Sequence, residues 1–510
     1  MEASSWALTV MAWLAALAFL SKISTFKRHQ PKFPPGPKPW PIIGNLNLIG
    51  AHPHQSLHKL SQKYGPIMQL KLGSVSVVVA SSPEMAKQFL KTHDHIFASR
   101  PQTAAGKYIS YNYTDLLWAP YGPYFRQARK IYMSEVFTPK RIESYEYIRV
   151  EERSALLSRL LALSGKPIRV KEHLVRLTLS VISRIVLGNK YFSESESETS
   201  EITFKEFKQM IDEWLFLNAA LNIGDWIPWL SFLDLQGYVK RMKALKKKFD
   251  RFHDHVFDDH KVKREAEKDF VPKDMVDLLL QLADDPNTDH VKLTYDNVKG
   301  LTQDLLLGGA DTSATTLEWT MSELMKQPHL INKATEELDR VIGKDKWVEE
   351  KDIPQLPYIN AIMKETMRKH PVAVLLAPHS ALEDGNIAGY DISKGSTVLI
   401  NTWGMGRDPS IWDAPQEFRP ERFLGKAIDV KGQYFELLPF GSGRRMCPGY
   451  NLGLKVVSST LANMLHGFEW KFPDNVKPED LSMEEVYSSG ASRKFPLVAV
   501  TKPRLPLHLY

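Results

Sequence analysis

Pro439-Phe-Gly-Ser-Gly-Arg-Arg-Met-Cys447-Pro-Gly449 holds the only cysteine of a 510-residue chain. One cysteine excludes an intramolecular disulfide, and it excludes zinc or iron–sulfur centres built on several thiolates. An isolated cysteine most often reads as a small buried hydrophobe, but its neighbours change that reading. Gly441, Gly443 and Gly449 let the backbone turn tightly around one sulfur with amide N–H groups aimed at a thiolate, while Arg445 supplies a cation for an anionic ligand. Pro448 and Gly449 then open an apolar helix (Leu452, Leu454, Val456, Val457) whose N-terminal dipole also favours a thiolate.

The spacing Phe440-x-x-Gly443-x-Arg445-x-Cys447-x-Gly449 resembles the haem-binding loop of the cytochrome P450 family. Five fixed positions of this composition match by chance in about one chain in ten thousand. The resemblance implies a haem b cofactor with Cys447 as its axial thiolate and metal ligand, and Phe440, Gly441 and Arg445 against the porphyrin. Further family motifs follow in order. Glu365-Thr-Met-Arg368 resembles the E-x-x-R motif, whose three-residue spacing puts both charges on one helix face. Phe418-Arg-Pro-Glu-Arg422-Phe423 resembles the segment whose arginine joins that pair, so the resemblance implies a structural ion network of Glu365, Arg368 and Arg422.

Gly308-Gly309-Ala310-Asp311-Thr312-Ser313 falls in the middle of a helix expected to run from a cap near Thr294 to Pro328, about 50 Å long at 1.5 Å per residue. Two glycines and two hydroxyls weaken a helix there. In this family the same run resembles an oxygen groove, where glycine leaves room for O2, Thr312 holds a proton-donating water network and Asp311 feeds it. By the same resemblance Arg126, with Arg129-Lys130, and His379 after Pro378 are cations for the haem propionates. One residue departs from the pattern: Phe125 stands where the family commonly has Trp, which removes an indole N–H donor.

The composition is that of a globular chain, 43% hydrophobic and 25% charged, with 66 basic against 59 acidic side chains for a net +7. That small excess suits an acidic partner or membrane surface better than a nucleic acid. Trp6 to Leu20 is apolar apart from Thr9, and positive charge follows at Lys22, Lys27, Arg28 and Lys32. Residues 1–22 therefore read as a signal-anchor transmembrane helix, with the rest of the chain cytosolic on the endoplasmic reticulum membrane. Residues 23–45 read as a basic, proline-rich hinge, stiff and extended, that spaces the body from the membrane. Residues 46–510 read as one catalytic domain, mainly α with small β-sheets.

Two strands are expected at Met68–Leu72 and Ser76–Ala80, and a helix start at Ser82-Pro83-Glu84. The basic run Lys240–Lys248 and the histidines His253, His255 and His260 read as a solvated helix face. The apolar stretch 214–233 suits membrane contact, a substrate roof or core packing. No Gly-x-Gly-x-x-Gly follows a strand, so electrons must come from another protein. By resemblance the donor is the NADPH-cytochrome P450 reductase, docked on Arg126, Arg129, Lys130, Arg444 and Lys455. The combined motifs resemble plant microsomal A-type members, and Tyr450-Asn-Leu-Gly-Leu-Lys455 looks closest to the ninety-two family. That implies an O2-dependent monooxygenase acting on a lignan, flavonoid or terpenoid, with haem-thiolate rearrangement, ring closure or C–C cleavage as alternatives and a silent binding protein as a third. Pocket stretches are expected at about 102–121, 214–226, 305–312, 372–377 and 487–492.

Overall fold

Residues 13, 31–191, 202–285, 291–474, 476–488 and 490–510 are described by the computed structural model. Apart from Trp13, the expected anchor 1–22 lies outside them. Among the described residues no helix is long and apolar enough to cross a membrane. The longer helices are α1 (Pro53–Tyr64), α2 (Pro123–Ile131), α3 (Glu146–Ala162), α4 (Val170–Leu187), α5 (Phe204–Ala219) and α6 (Tyr238–Ala266). They continue as α7 (Met275–Asp284), α8 (Tyr295–Ala310), α9 (Thr312–Lys326), α10 (Pro328–Val341), α11 (Pro357–Lys369) and α12 (Tyr450–Gly467).

Local chemistry sets these boundaries. Pro123, Pro328 and Pro357 occupy first-turn positions where no N–H is required. Thr294 and Asn297 form a reciprocal capping box at the start of α8. The expected helix start at Ser82 is observed, with its Oγ accepting from Met85 N at 3.3 Å. α9 is buried on every side from Ser313 to Met325, which makes it the axis of the core. Each fully buried leucine of the core, such as Leu317 or Leu324, contributes about 1.5–3 kcal/mol of transfer free energy.

The strands are β1 (Ile67–Leu72), β2 (Val75–Ala80), β3 (Pro167–Arg169), β4 (His379–Ser380), β5 (Gly385–Ile387), β6 (Tyr390–Ile392), β7 (Thr397–Ile400), β8 (Phe468–Lys471), β9 (Glu485–Tyr487), β10 (Ala491–Arg493) and β11 (Val498–Pro503). They form sheets of order β1-β2-β7-β4, β3-β11-β8, β9-β10 and β5-β6. In the largest sheet β2 runs parallel to β7, with Val77 opposite Thr397, and β4 pairs His379 with Val398. That register puts His379 on the edge strand of the sheet.

Three expectations change. The single helix from Thr294 to Pro328 is two helices that break at Asp311 (φ −100°, ψ −28°). Hydroxyls compete for the carbonyls there: Thr312 Oγ1 donates to Gly308 O at 2.8 Å, and Thr178 Oγ1 on α4 donates to Ala310 O. The proline-rich segment does not stand off as a spacer, because Gln69 N donates to Pro35 O (2.9 Å) and Lys71 N to Asn45 Oδ1 (2.9 Å), which lays residues 35–45 along β1. His253 and His260 lie on the buried side of α6, not on a solvated face. His260 offers Nδ1 to Val256 O (2.7 Å) and Nε2 to Asp274 Oδ2 (3.1 Å). With both ring nitrogens facing acceptors, it joins α6 to the N-terminus of α7 as an ion pair.

Candidate active site

One cavity of about 590 Å³ lies between α8/α9 and the Cys447 loop. Cys447, Phe440 and Gly441 line one wall, and Gly308, Gly309 and Thr312 line the opposite one. The loop's shape depends on glycine. At Gly443, φ is +70° and a Cβ would come within 2.0 Å of Leu90 O, so no other residue fits. On α8 the two glycines divide the work. A Cβ on Gly309 would strike Ile182 of α4 at 2.7 Å, whereas one on Gly308 would meet nothing. Gly309 therefore allows close helix packing, and Gly308 leaves open space beside Thr312.

Burial pushes the Cys447 thiol up to about 11, against the pull of the Gly449 amide and the Arg129 charge. A buried thiol of this kind becomes a thiolate on binding a metal. Three guanidiniums line the same cavity. Arg100 donates to Leu117 O, Ala377 O and Pro378 O at 2.7–2.9 Å. Arg445 donates to Ala98 O, Leu116 O and Ala119 O, and its guanidinium carbon stands 3.6 Å from the centre of the Phe125 ring. Arg129 donates to Met446 O at 2.9 Å. All three bond backbone carbonyls, and among the described residues none forms an ion pair with a carboxylate. Burial, then repulsion from Arg100 and Arg129, pushes Arg445 down to about 8. Burial likewise lowers Arg100 to about 10.

Such a cluster calls for an anion. A porphyrin with two carboxylates and a central metal answers both the cations and the thiol, so the residues fit a haem. His379 lines the same wall, with Nδ1 facing Phe97 O at 2.8 Å. Burial and the charge of Arg100 hold it well below the ordinary imidazole value. With Nδ1–H donating to Phe97 O, the neutral ring is the favoured form.

The sequence-derived residues divide at this point. Cys447, Phe440, Gly441, Arg445, His379 and Thr312 come together on the cavity. Arg126 does not: it is exposed on α2, its guanidinium carbon 5.9 Å from the centre of the Tyr121 ring, while Arg129, one turn on, faces the sulfur. Asp311 is adjacent to Thr312 in the chain, but its carboxylate points elsewhere, accepting from Thr315 Oγ1 (3.0 Å) and pairing with Lys171 (3.3 Å). Phe125 is fully buried and serves as the platform for Arg445.

Arg100 was not singled out from the sequence, because a lone Arg-Pro carries no motif. Asp304 and Asp115 also went unread. Asp304 lines the cavity and accepts from Leu116 N at 3.2 Å; Asp115 accepts from Trp118 N at 2.8 Å. Burial raises both carboxyls. Of the expected pocket stretches, 372–377 lines the cavity throughout, whereas only Tyr487 does so from the described part of 487–492. The roof carries Trp118, whose Nε1 donates to Asn218 at 2.7 Å, along with Trp214 and Asp225.

Behind the loop, Glu365 is fully buried and accepts from Arg368 Nε (2.7 Å) and Nη2 (2.8 Å), Arg422 Nε (3.0 Å) and Arg419 N (2.7 Å). This is the ion network implied by the family motifs.

Comparison with known proteins supplies the context. The family model described as Cytochrome P450 matches residues 34–494. Trimethyltridecatetraene synthase of Zea mays is 46% identical, over 98% of this chain and 93% of the relative. Flavonoid 3'-monooxygenase of Petunia hybrida is 41% identical over the whole of both chains. A zebra fish cytochrome P450 structure with abiraterone superposes with a TM-score of 0.75 at 26% identity, covering 89% of this chain and all of the other.

Proposed function

Because the chain belongs to the cytochrome P450 family and is an oxygen-dependent monooxygenase, we propose that it inserts one oxygen atom of O2 into a small hydrophobic metabolite of the flavonoid, terpenoid or lignan class. The observation that carries this reading is the convergence of Cys447 with Arg100, Arg129 and Arg445 on one cavity opposite Gly308 and Thr312. When bound, the haem supplies O2 binding and one-electron redox chemistry. The protein's own residues do the rest. Cys447 would ligate the metal, and the three arginines with His379 would hold the propionates. Phe440 and Gly441 would lie against the porphyrin. Gly308 leaves room for a diatomic ligand, and Thr312 presents a hydroxyl there. The Asp311 carboxylate is engaged by Thr315 Oγ1 and Lys171, so its part in delivering protons to Thr312 rests on the family resemblance alone.

Electrons come from NADPH through the P450 reductase. Of the cations expected to dock it, Arg444 pairs with Asp94 and Lys455 pairs with Glu350 at 2.9 Å. Arg126 and Lys130 stay exposed and support the reading. The residues after Cys447 support a place near the ninety-two family. The single-span anchor in the endoplasmic reticulum membrane rests on the apolar run Trp6–Leu20 and the positive charges after it, and contact of the body with the same membrane is supported by exposed Trp229, Phe232 and Leu235 together with Trp40 and Ile42. Gly73 N donates to Ile43 O (3.0 Å) and Ser74 N to Trp226 O (2.9 Å), which brings these two apolar loops to one edge.

Two maize relatives are named as synthases of a tetraene and a triene, hydrocarbons that carry no inserted oxygen, so C–C cleavage at the same site is the second outcome to test. The test is a panel of flavonoids, terpenoid alcohols and lignans with reductase and NADPH, read by mass spectrometry. Gain of one oxygen supports insertion, and a shortened carbon skeleton supports cleavage. Turnover without O2 or NADPH would overturn both.

A further inference from the structure

Beyond the Cys447 loop and α8/α9, the cavity also runs along α1, β1 and β2, where Pro53, Leu57, Leu70, Leu72, Val75 and Val77 line it. Those side chains offer a ligand no hydrogen bond. Tyr487, at the end of β9, packs against the same aliphatic cluster and lines the same cavity. Its hydroxyl has no hydrogen-bond partner among the described residues, yet the oxygen is not sealed inside the core. Burial alone pushes the phenol up to about 12 with no neighbouring charge contributing, so it stays a neutral O–H donor. By contrast, Tyr132 donates to Leu301 O (2.6 Å), Thr316 to Thr312 O (3.0 Å) and Ser442 to Gly432 O (2.7 Å) on the same cavity.

The strand that carries this phenol is fastened on both sides. Tyr487 stands opposite Ala491 in the β9–β10 hairpin. Trp319 Nε1 of α9 donates to Ala491 O (3.0 Å), and Ala491 N donates to Val372 O (2.9 Å). Two residues before Tyr487, Glu485 accepts from Gln55 Nε2 (2.5 Å) and is hydrogen-bonded to His54 Nε2 (2.8 Å), both on α1. The His54 ring centre lies 5.7 Å from that of Tyr487. A donor fixed before its partner arrives loses little entropy on binding. Set in an aliphatic wall, such a donor selects against a ligand that brings it no acceptor.

We propose that the Tyr487 hydroxyl donates a hydrogen bond to an oxygen atom of the bound substrate, so that the substrate is a metabolite already carrying a hydroxyl or carbonyl group and not a bare hydrocarbon. The proposal rests on the functional reading given above. It is tested on the full-length holoprotein with two ladders of imidazoles that bind the haem iron through the ring: 1-alkylimidazoles of increasing chain length, and the same chains ending in a hydroxyl. Affinity is read from the shift of the Soret band. In the parent the terminal hydroxyl is expected to weaken binding at most chain lengths, because less apolar surface is buried. At the length that reaches Tyr487 it should bind about three- to ten-fold tighter than that trend. In Tyr487→Phe this local gain should vanish while the alkyl ladder, which reports that the variant is folded, stays unchanged. A hydroxyl effect that varies smoothly with chain length in the parent overturns the proposal, as does a gain that survives in Tyr487→Phe. A Soret band that no imidazole shifts refutes the haem site itself, a failure distinct from loss of the Tyr487 contact alone.

Discussion

Arg126→Leu and Arg129→Leu separate two cations three residues apart on α2. Arg126 is exposed and makes no ion pair among the described residues. Its removal should cost at most about 0.5 kcal/mol of cofactor binding, about a two-fold change. Arg129 lines the cavity, donates to Met446 O at 2.9 Å and is held below its ordinary value by burial, against the charge of Cys447. A charge-assisted hydrogen bond from such a site is worth about 1.5–3 kcal/mol, so its loss should speed haem release about 10- to 150-fold. The assay is transfer of haem from each purified holoprotein to excess apomyoglobin, followed in the Soret region, with far-UV circular dichroism to confirm that both variants are folded. Faster release from Arg126→Leu than from Arg129→Leu would refute the assignment of the buried cation as the haem-holding one.

Glu365→Ala removes the shared acceptor of two buried guanidiniums and should destabilise the chain by about 3–5 kcal/mol, read from urea midpoints; a loss below about 1 kcal/mol would contradict the network. His260 is held above its ordinary 6.5 because Asp274 outweighs burial. A raised folded-state value gives stability that is fully present below 6.5 and is lost as pH rises through the folded value. The urea midpoint should therefore fall across that window, and His260→Gln should flatten the fall; a midpoint that rises there would contradict the ion pair.

The Cys447 loop was legible because its chemistry requires particular residues at fixed spacing, and the Glu365 network because helix periodicity makes the pair neighbours. The break at Asp311 was not, since it depends on the hydroxyl of Thr178, a residue far away in sequence on α4. Arg126 and Arg129 share a composition and a helix, but three residues rotate the side chain by most of a turn, and only packing says which one faces inward. Arg100 reaches the cavity because three carbonyls from distant segments hold it. His253 and His260 stand among charges in the sequence, and burial against the neighbouring helices overrides that pattern. The prolines after residue 30 predict an extended segment, and backbone hydrogen bonding to β1 decides where residues 35–45 lie.

The most direct test reduces the purified holoprotein under carbon monoxide and records its absorption spectrum beside that of Cys447→Ser. A Soret band at the haem-thiolate position in the parent, absent in the variant, is the predicted result. A parent whose band reports imidazole ligation, or a variant that keeps the thiolate band, would contradict the assignment of Cys447 as the metal ligand.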